Sequence, residues 1–311
     1  MGIAEAIPGV SGGTLAFITG IYEELISTIK SFTPGNLIKI KKSFPLFWSA
    51  INGPFLTFLL IGMLIGLGIG VTVISNLLVT QKEALWAFFF GIVLASVFYL
   101  SEDVRWSSLT ILLGIVGTVI SFAITQLTPA TGTDHFLYIY MAGFIAVSAL
   151  MLPGISGSFI LLLLGLYELI IHSVKAVLID LSFGANLGVL AIFGLGVLSG
   201  MFSFARILSY LFKRYYDGTM SFLIGILLGS LNKLWPWKRV ETALNTESGV
   251  VEQIGAPGVP DEEIYKVISE VNIGPWAFQS YQDPQLVLVT STFVLGCLIV
   301  LGLWYFGRPA K

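Results

Sequence analysis

Long apolar segments without a charged residue make up most of this sequence, and they limit the chain to a membrane fold. A helix crosses the hydrocarbon core of a bilayer with about 20 apolar residues. Most of the uncharged segments are that long: residues 43–81, 84–101, 106–133, 136–167, 181–205 and 284–307. Hydrophobic residues form 56% of the chain and charged residues 11%, which is more apolar surface than one soluble core of this length can bury. The sequence therefore predicts an all-α polytopic membrane protein.

A short motif occurs twice, 145 positions apart, and each copy interrupts an apolar segment. The copies are Pro8-Gly9-Val10-Ser11-Gly12 and Pro153-Gly154-Ile155-Ser156-Gly157. Residues 8–30 and 153–175 share 9 of 23 positions, and at an offset of 134, residues 62–96 and 196–230 share 10 of 35. We therefore predict a single membrane domain, 1–311, built from two repeats, 1–135 and 136–311.

The aligned region contains two glycine pairs, Gly62/Gly66 and Gly196/Gly200, with three residues between the members of each pair. Small residues at this spacing let helices approach closely in lipid, so we expect these glycines at helix contacts.

The number of crossings between the motifs predicts an inverted-topology repeat. Three crossings lie between the copies, at 53–78, 84–101 and 107–127, and three follow, at 187–212, 218–235 and 285–306. An odd number turns the second repeat upside down, an arrangement that is common in transporters. Each half then has a re-entrant broken helix plus three transmembrane helices. An apolar arm, 136–152, precedes the second motif, whereas seven residues precede Pro8; the repeat predicts a missing helical arm there.

Basic residues indicate the orientation. Placing Lys30, Lys39, Lys41 and Lys42 in the cytoplasm puts nine Lys and Arg inside and six outside. The polar segment 238–283, with eight acids and three bases, then forms an extracytoplasmic insertion. Two interpretations of it stay open, a solvated loop or a lid over an outer cavity. We expect a short helix at residues 261–271 capped by Asp261, and an interfacial aromatic belt at Trp235, Trp237 and Trp276.

The repeated motif has the chemistry of an anion site. Proline and glycine break a helix, and such breaks are tolerated in a membrane only inside protein or beside water. Ser11 and Ser156 can each cap a new helix, starting at Gly13 and Ser158, and free N–H groups at a helix start bind phosphate well. The alternative is that the breaks are hinges or packing points. The predicted phosphate ligands are Ser11, Gly12, Gly13, Thr14, Ser156, Gly157, Ser158 and Arg206.

Arg206 is included because an arginine inside a crossing is rare and often functional. Its counterpart in the first repeat is Thr72, and the alternative is that its side chain snorkels to the cytoplasmic surface. Further candidates for coupling or gating are Glu5, Glu23, Glu168, Tyr22 and Tyr167. For the two glutamates after the tyrosines, the alternative is an interfacial carboxylate paired with lysine.

The sequence contains few residues of the kinds that form disulfides, metal sites or Cys/His catalytic sites. Cys297 is the single cysteine, and there are two histidines, so we predict no intrachain disulfide, no metal site and no cofactor beyond a possible coupling ion, proton or sodium. No basic run suggests nucleic acid as a partner.

The motifs carry a resemblance to a known family. The run from Ala4 to Thr14 with Gly20-Ile21-Tyr22-Glu23, and the run from Leu152 to Ser158 with Gly165-Leu166-Tyr167-Glu168, resemble the polyprenyl-phosphate transporter family of bacterial inner-membrane proteins. The resemblance implies re-entrant hairpins at both motifs. It also implies that the chain returns undecaprenyl phosphate from the outer to the cytoplasmic leaflet, so that this lipid carrier is reused in cell-envelope synthesis.

The leading hypothesis is therefore a lipid-carrier flippase, not an enzyme, with polyprenyl phosphate and the bilayer as partners. The alternative is an ion-coupled transporter of a water-soluble anion. A third class is an intramembrane enzyme such as a lipid phosphatase. Such an enzyme needs a nucleophile and an acid–base pair, and the sequence offers no convincing set of these residues. A structural scaffold is the remaining class, and the sequence leaves the oligomeric state open.

Overall fold

The computed structural model describes residues 1–5, 11–130, 132–178, 184–245, 250–259 and 264–307. Its α-helices are α1 Gly2–Glu5, α2 Gly12–Ile18, α3 Tyr22–Lys30, α4 Pro34–Ile38, α5 Phe44–Ala50, α6 Gly53–Thr80, α7 Lys82–Ser101, α8 Ser108–Thr125, α9 Phe136–Met151, α10 Gly157–Leu163, α11 Tyr167–Leu178, α12 Gly184–Arg214, α13 Tyr216–Ser230, α14 Pro275–Phe278 and α15 Leu286–Gly307. Two 3₁₀ turns, Lys39–Lys41 and Leu231–Leu234, and three strands, β1 Lys238–Asn245, β2 Val251–Ala256 and β3 Tyr265–Asn272, complete it.

Five helices in the described part of the chain are long and apolar enough to cross a membrane: α6, α7, α8, α12 and α15. They match five of the six predicted crossings. The sixth, predicted at 218–235, is the shorter helix α13, followed by the 3₁₀ turn Leu231–Leu234. With 15 residues it rises about 22 Å, which is less than the roughly 30 Å hydrocarbon core.

Two crosswise helix pairs join the predicted repeats to each other, and two further pairs lie within a repeat. Helix α7 packs along α15 and α8 along α13, while α9 packs on α12 and α1 on α6. If the repeats are aligned, α7 corresponds to α13 and α8 to α15, so the contacts α7–α15 and α8–α13 are equivalent. In the same way, α1 corresponds to α9 and α6 to α12, so the contacts α1–α6 and α9–α12 are equivalent. The same packing pattern therefore occurs twice in the molecule. The direction in which each repeat crosses the membrane stays a prediction.

Glycines bring these helix pairs into backbone contact. A Cβ at Gly225 of α13 would overlap the carbonyl oxygen of Gly114 in α8. In the other crosswise pair, Gly91 of α7 meets the backbone of Phe293 in the same way. The predicted packing role holds for Gly196 and Gly200, which lie against the backbone of α9, and for Gly66, which lies against α1. It does not hold for Gly62, because the described residues leave open space around it.

Helix α7 lies at the centre of the bundle. In its apolar 18-residue stretch, 67% of the residues are buried, against 11–17% in the corresponding stretches of α6, α8, α12 and α15. The other four therefore present most of their apolar surface outward, as lipid-facing helices do.

The polar segment corrects the all-α prediction, because it folds into a small antiparallel sheet of strand order β2-β1-β3. The helix expected at 261–271 is wrong: residues from Tyr265 onward form β3, which pairs along β1 from Lys238↔Asn272 to Asn245↔Tyr265. β-Branched residues Val267, Ile268 and Val271 favour a strand, and β1 supplies the hydrogen-bonding partner. Asp261, the expected cap, lies outside the described residues.

The sheet is anchored to the helical bundle by aromatic residues. Trp237 and Phe278 pack with Ala87 of α7 and Val289 of α15. The indole N–H of Trp235 donates to the carbonyl of Ile273 at 2.8 Å. These two tryptophans therefore hold the polar segment on the bundle. Of the three tryptophans expected in an interfacial belt, Trp276 is the one that lies open, at 73% exposure.

Candidate functional site

The first motif starts a helix as predicted. Ser11 is the N-cap of α2, and its hydroxyl accepts a hydrogen bond from the backbone N–H of Thr14 at 3.3 Å. Both side chains are buried. The helix begins at Gly12, one residue earlier than expected.

A carboxylate already lies at this helix start. Glu5, the last residue of α1, accepts the backbone N–H of Gly12 at 2.8 Å through Oε1. A negative charge is favourable there, because the N–H groups and the helix dipole point toward it. The first motif therefore holds an anionic group in this structure, and that group belongs to the chain itself.

The second motif is built differently. Ser156 is the N-cap residue of α10, but its side chain makes no capping hydrogen bond, so that part of the prediction is wrong. Its hydroxyl instead pairs with the hydroxyl of Ser158 at 2.8 Å. Gly154 has a φ of +87°, and an added Cβ would lie 2.9 Å from the Ser230 hydroxyl of α13. Glycine is the residue that suits both the conformation and the space.

The two motifs contact each other at what we call their tips, residues 11–14 of the first motif and 154–158 of the second. The backbone N–H of Gly154 donates to the Thr14 hydroxyl at 2.8 Å, across 140 positions of sequence. Gly13 lies against the end of α9, where a Cβ would be 2.7 Å from the carbonyl oxygen of Leu150. The buried hydroxyl of Tyr22 donates to the carbonyl of Met151 at 2.6 Å. Ser11, Gly12, Gly13 and Thr14 are thereby placed beside the segment that contains the second motif.

Both motif helices end at a glycine with positive φ, Gly20 at +75° and Gly165 at +67°. At Gly165 the chain bends by 112° between α10 and α11. The tyrosines that follow the breaks are not equivalent: Tyr22 is 2% exposed and Tyr167 36%. Glu23 and Glu168 lie on exposed faces of α3 and α11.

Arg206 is not brought to the tips. Its guanidinium is exposed on α12 and donates to the carbonyl of Phe202 in the same helix at 3.4 Å. Among the described residues, no hydrogen bond or ion pair joins it to Ser11, Thr14 or Ser156. This placement agrees with an outward-reaching side chain more readily than with a ligand of the tips.

Lys233 is a residue that the sequence analysis passed over. It shares a cleft with the second motif and the end of α8, lined by Ser121, Thr125, Gly154, Ser156, Phe159 and Lys233. The Lys233 ammonium lies 5.1 Å from the centre of the Phe159 ring and 3.9 Å from Oε2 of Glu270 in β3. The sequence did offer one indication of its importance, because Lys233 is a charged residue within the predicted crossing 218–235.

Glu270 lies among three lysines at this end of the bundle. Lys238 is 3.5 Å from its carboxylate, and burial lowers the pKa of Lys238 to about 8 despite the opposing effect of Glu270. Burial alone would raise the pKa of Glu270, but Lys238, Lys233 and Lys82 hold it below its ordinary value. Three lysines therefore surround one glutamate at this end of the bundle, and Lys233 is the lysine that also lines the cleft. The described residues contain no cluster of three or more His, Cys, Asp or Glu side chains able to hold a metal ion.

These features define a class: a multi-pass membrane protein in which the segments that carry the two motifs contact each other between apolar helices. A profile of the undecaprenyl phosphate translocase-like family matches residues 1–252. The chain belongs to that family, which confirms the resemblance found in the motifs.

Two relatives carry the name polyprenyl-phosphate transporter. The chain is 37% identical over 308 residues to the one from Vibrio cholerae, covering 97% of this chain and 92% of the relative. It is 31% identical over 250 residues to the one from Staphylococcus aureus, covering 76% and 83%. No solved structure shows significant similarity to the chain.

Proposed function

We propose that this protein is a flippase for polyprenyl phosphate in the bacterial inner membrane. It moves undecaprenyl phosphate from the outer to the cytoplasmic leaflet, and the returned carrier is reused in cell-envelope synthesis. The observation that carries the proposal is the hydrogen bond between the tips, from the Gly154 N–H to the Thr14 hydroxyl at 2.8 Å. It brings two broken helix ends together, and their N–H groups and hydroxyls suit a phosphate. The names of the relatives supply the substrate class.

The phosphate binds between the tips when they separate. In the arrangement described here, Gly12 is bonded to Glu5 and Thr14 to Gly154, so these groups serve each other. Substrate phosphate replaces both contacts and draws on Ser11, Gly13, Ser156, Gly157 and Ser158 as further ligands. The lipid phosphate therefore favours the state in which the tips are separated, because it binds that state better.

Among the proposed coupling carboxylates, Glu5 contacts a motif donor directly. A coupling ion, proton or sodium, that binds the Glu5 carboxylate would compete with the Gly12 N–H and free that donor for the phosphate. Glu23, Glu168 and Tyr167 lie on exposed faces, and Arg206 enters the mechanism only if α12 rotates its outward face toward the tips.

Thr14 is the residue that tests the proposal. Thr14→Val keeps the shape of the side chain and removes the hydroxyl, while Thr14→Ser keeps the hydroxyl. In sealed liposomes with purified protein and a fluorescent polyprenyl phosphate, we expect T14V to flip at least about tenfold more slowly, since a hydrogen bond to a charged group contributes about 1.5–3 kcal/mol. T14S should retain most of the rate. A folded T14V that flips as fast as wild type would contradict the role of the tips.

A further inference from the structure

We propose that the cleft at Lys233, on the side of the second motif, is an outer subsite that receives the phosphate head of the lipid before it binds between the two motifs. While no lipid is bound, the Glu270 carboxylate occupies the place of the phosphate on Lys233. The inference rests on the proposed function, and it names the side of the molecule and the cation that first recognise the substrate.

A buried hydroxyl marks the cleft as polar. Ser121 of α8 is 1% exposed, and its Oγ has no hydrogen-bonding partner among the described residues. An unpaired buried hydroxyl is costly, so it calls for a group that can bond to it. Ser156 and Gly154 of the second motif line the same cleft, so a phosphate there would already touch one of the tips.

Lys233 supplies the charge. Its side chain is 33% exposed and pairs weakly with Glu270, at 3.9 Å, while Lys238 lies nearer to the same carboxylate, at 3.5 Å. Lys82 adds a third positive charge nearby. One carboxylate thus faces three ammonium groups, and exchanging Glu270 for phosphate on Lys233 leaves the carboxylate paired with buried Lys238.

An apolar cavity of about 420 Å³ lies on the neighbouring side of α8, and its volume suits the first isoprene units of a polyprenyl chain. Phe122 and Val119 line it and are themselves exposed on the outer surface of the bundle, so the cavity is reached from the bilayer. Asn232 separates it from the cleft, with its amide donating to the Thr125 hydroxyl at 2.7 Å. Head and chain of one lipid can therefore lie on the two sides of Asn232.

Strand β3 contacts both places. Glu270 reaches Lys233 in the cleft, and the Asn272 amide donates to Asn232 at 2.8 and 2.9 Å beside the apolar cavity. The free space in the cleft is about 10 Å³, which is room for about one water molecule. A phosphate thus enters only when the cleft widens. Releasing Glu270 from Lys233 frees β3 from this end of the bundle, so the sheet acts as the lid that opens.

Binding to the purified full chain in detergent tests the site by calorimetry. The probes are geranylgeranyl phosphate, the matching alcohol and inorganic phosphate, and the variants are Lys233→Gln, Lys233→Arg and, as a control, the exposed Lys175→Gln. We expect K233Q to weaken binding of the lipid phosphate about tenfold, the scale of one bond to a charged group, with the alcohol unaffected. K233R and K175Q should bind like wild type.

Glu270→Gln tests the exchange. Because it removes the competing carboxylate, it should bind the lipid phosphate several-fold more tightly than wild type. Equal binding by K233Q and wild type would overturn the site, and no tighter binding by E270Q would overturn the competition. Inorganic phosphate binding as tightly as the lipid phosphate would overturn the place of the chain in the apolar cavity.

Flipping measured in parallel separates this inference from the proposed function. If wild type flips the lipid and K233Q does so at the same half-saturating lipid density, the inference fails and the function stands. If wild type binds the lipid phosphate through Lys233 but flips none, the function fails and the site stands.

Discussion

Lys238 is the one charged residue that the described part of the chain buries almost completely. Its ammonium donates to the carbonyl of Lys233 at 2.8 Å, lies 3.5 Å from Glu270 and sits 4.6 Å from the centre of the Trp86 ring. A buried charge is costly to desolvate even when it is paired. The lowered pKa of Lys238, about 8, is the expression of that cost.

The pH dependence of stability follows from this pKa. Between pH 8 and the ordinary value of 10.5, the unfolded chain binds a proton at Lys238 that the folded protein does not. The free energy of unfolding therefore rises with pH across this window. Glu270, with its pKa below the ordinary value, stays ionised throughout.

Lys238→Met removes this titration and provides the reference. We expect the melting temperature of wild type, relative to that of K238M, to rise between pH 8 and 10.5 in the same detergent. A difference that stays constant over the window would contradict the burial of a charged Lys238.

The residue scale also shows where the repeat misled the sequence analysis. Ser11 caps its helix as predicted, but Ser156 bonds to Ser158. The counterpart of Ser158 is Gly13, which has no hydroxyl to compete for Ser11. Equivalent serines therefore make different bonds, because a neighbour differs. Predicting this required knowing that side-chain contacts outweigh the similarity of the copies.

At the scale of elements, the close crossing of α8 and α13 depends on glycine. A Cβ at Gly225 would overlap the backbone of Gly114, whereas Gly194 of α12 has open space around it. We expect Gly225→Ala to destabilise the protein by about 1–3 kcal/mol, since a well-packed contact must shift. The matched Gly194→Ala should change stability little, because alanine adds helix propensity without a clash.

Thermal unfolding of both variants in one detergent checks this contrast. Equal melting temperatures for G225A and G194A would show that the two helices do not approach as closely as described.

The helices were predictable and the sheet was not, for a physical reason. Each crossing can be predicted from about 20 apolar residues in its own sequence. A strand such as β3 becomes favourable only through β1 beside it, and that partner is set by tertiary structure.

At the scale of the whole molecule, α7 packs with α15 and α8 with α13, and the division into two related halves stays a prediction. The sequence shows that Glu5 has no acidic counterpart, but it could not predict what each motif contacts. The start of α2 is bonded to Glu5, whose counterpart is Leu150, and the second motif lies beside Lys233. An acidic residue therefore lies at one motif and a basic residue at the other, and this difference is the basis of our proposal that the phosphate binds first at the second motif.

A flippase of this kind should be selective for a phosphate head on a lipid. The most direct measurement compares three fluorescent lipids in sealed liposomes containing the purified full chain: polyprenyl phosphate, the matching polyprenol and phosphatidylcholine. We expect protein-dependent flipping of the polyprenyl phosphate, with the other two moving at the protein-free rate. Equal flipping of all three, or none by folded protein that instead transports a water-soluble anion, would contradict the account.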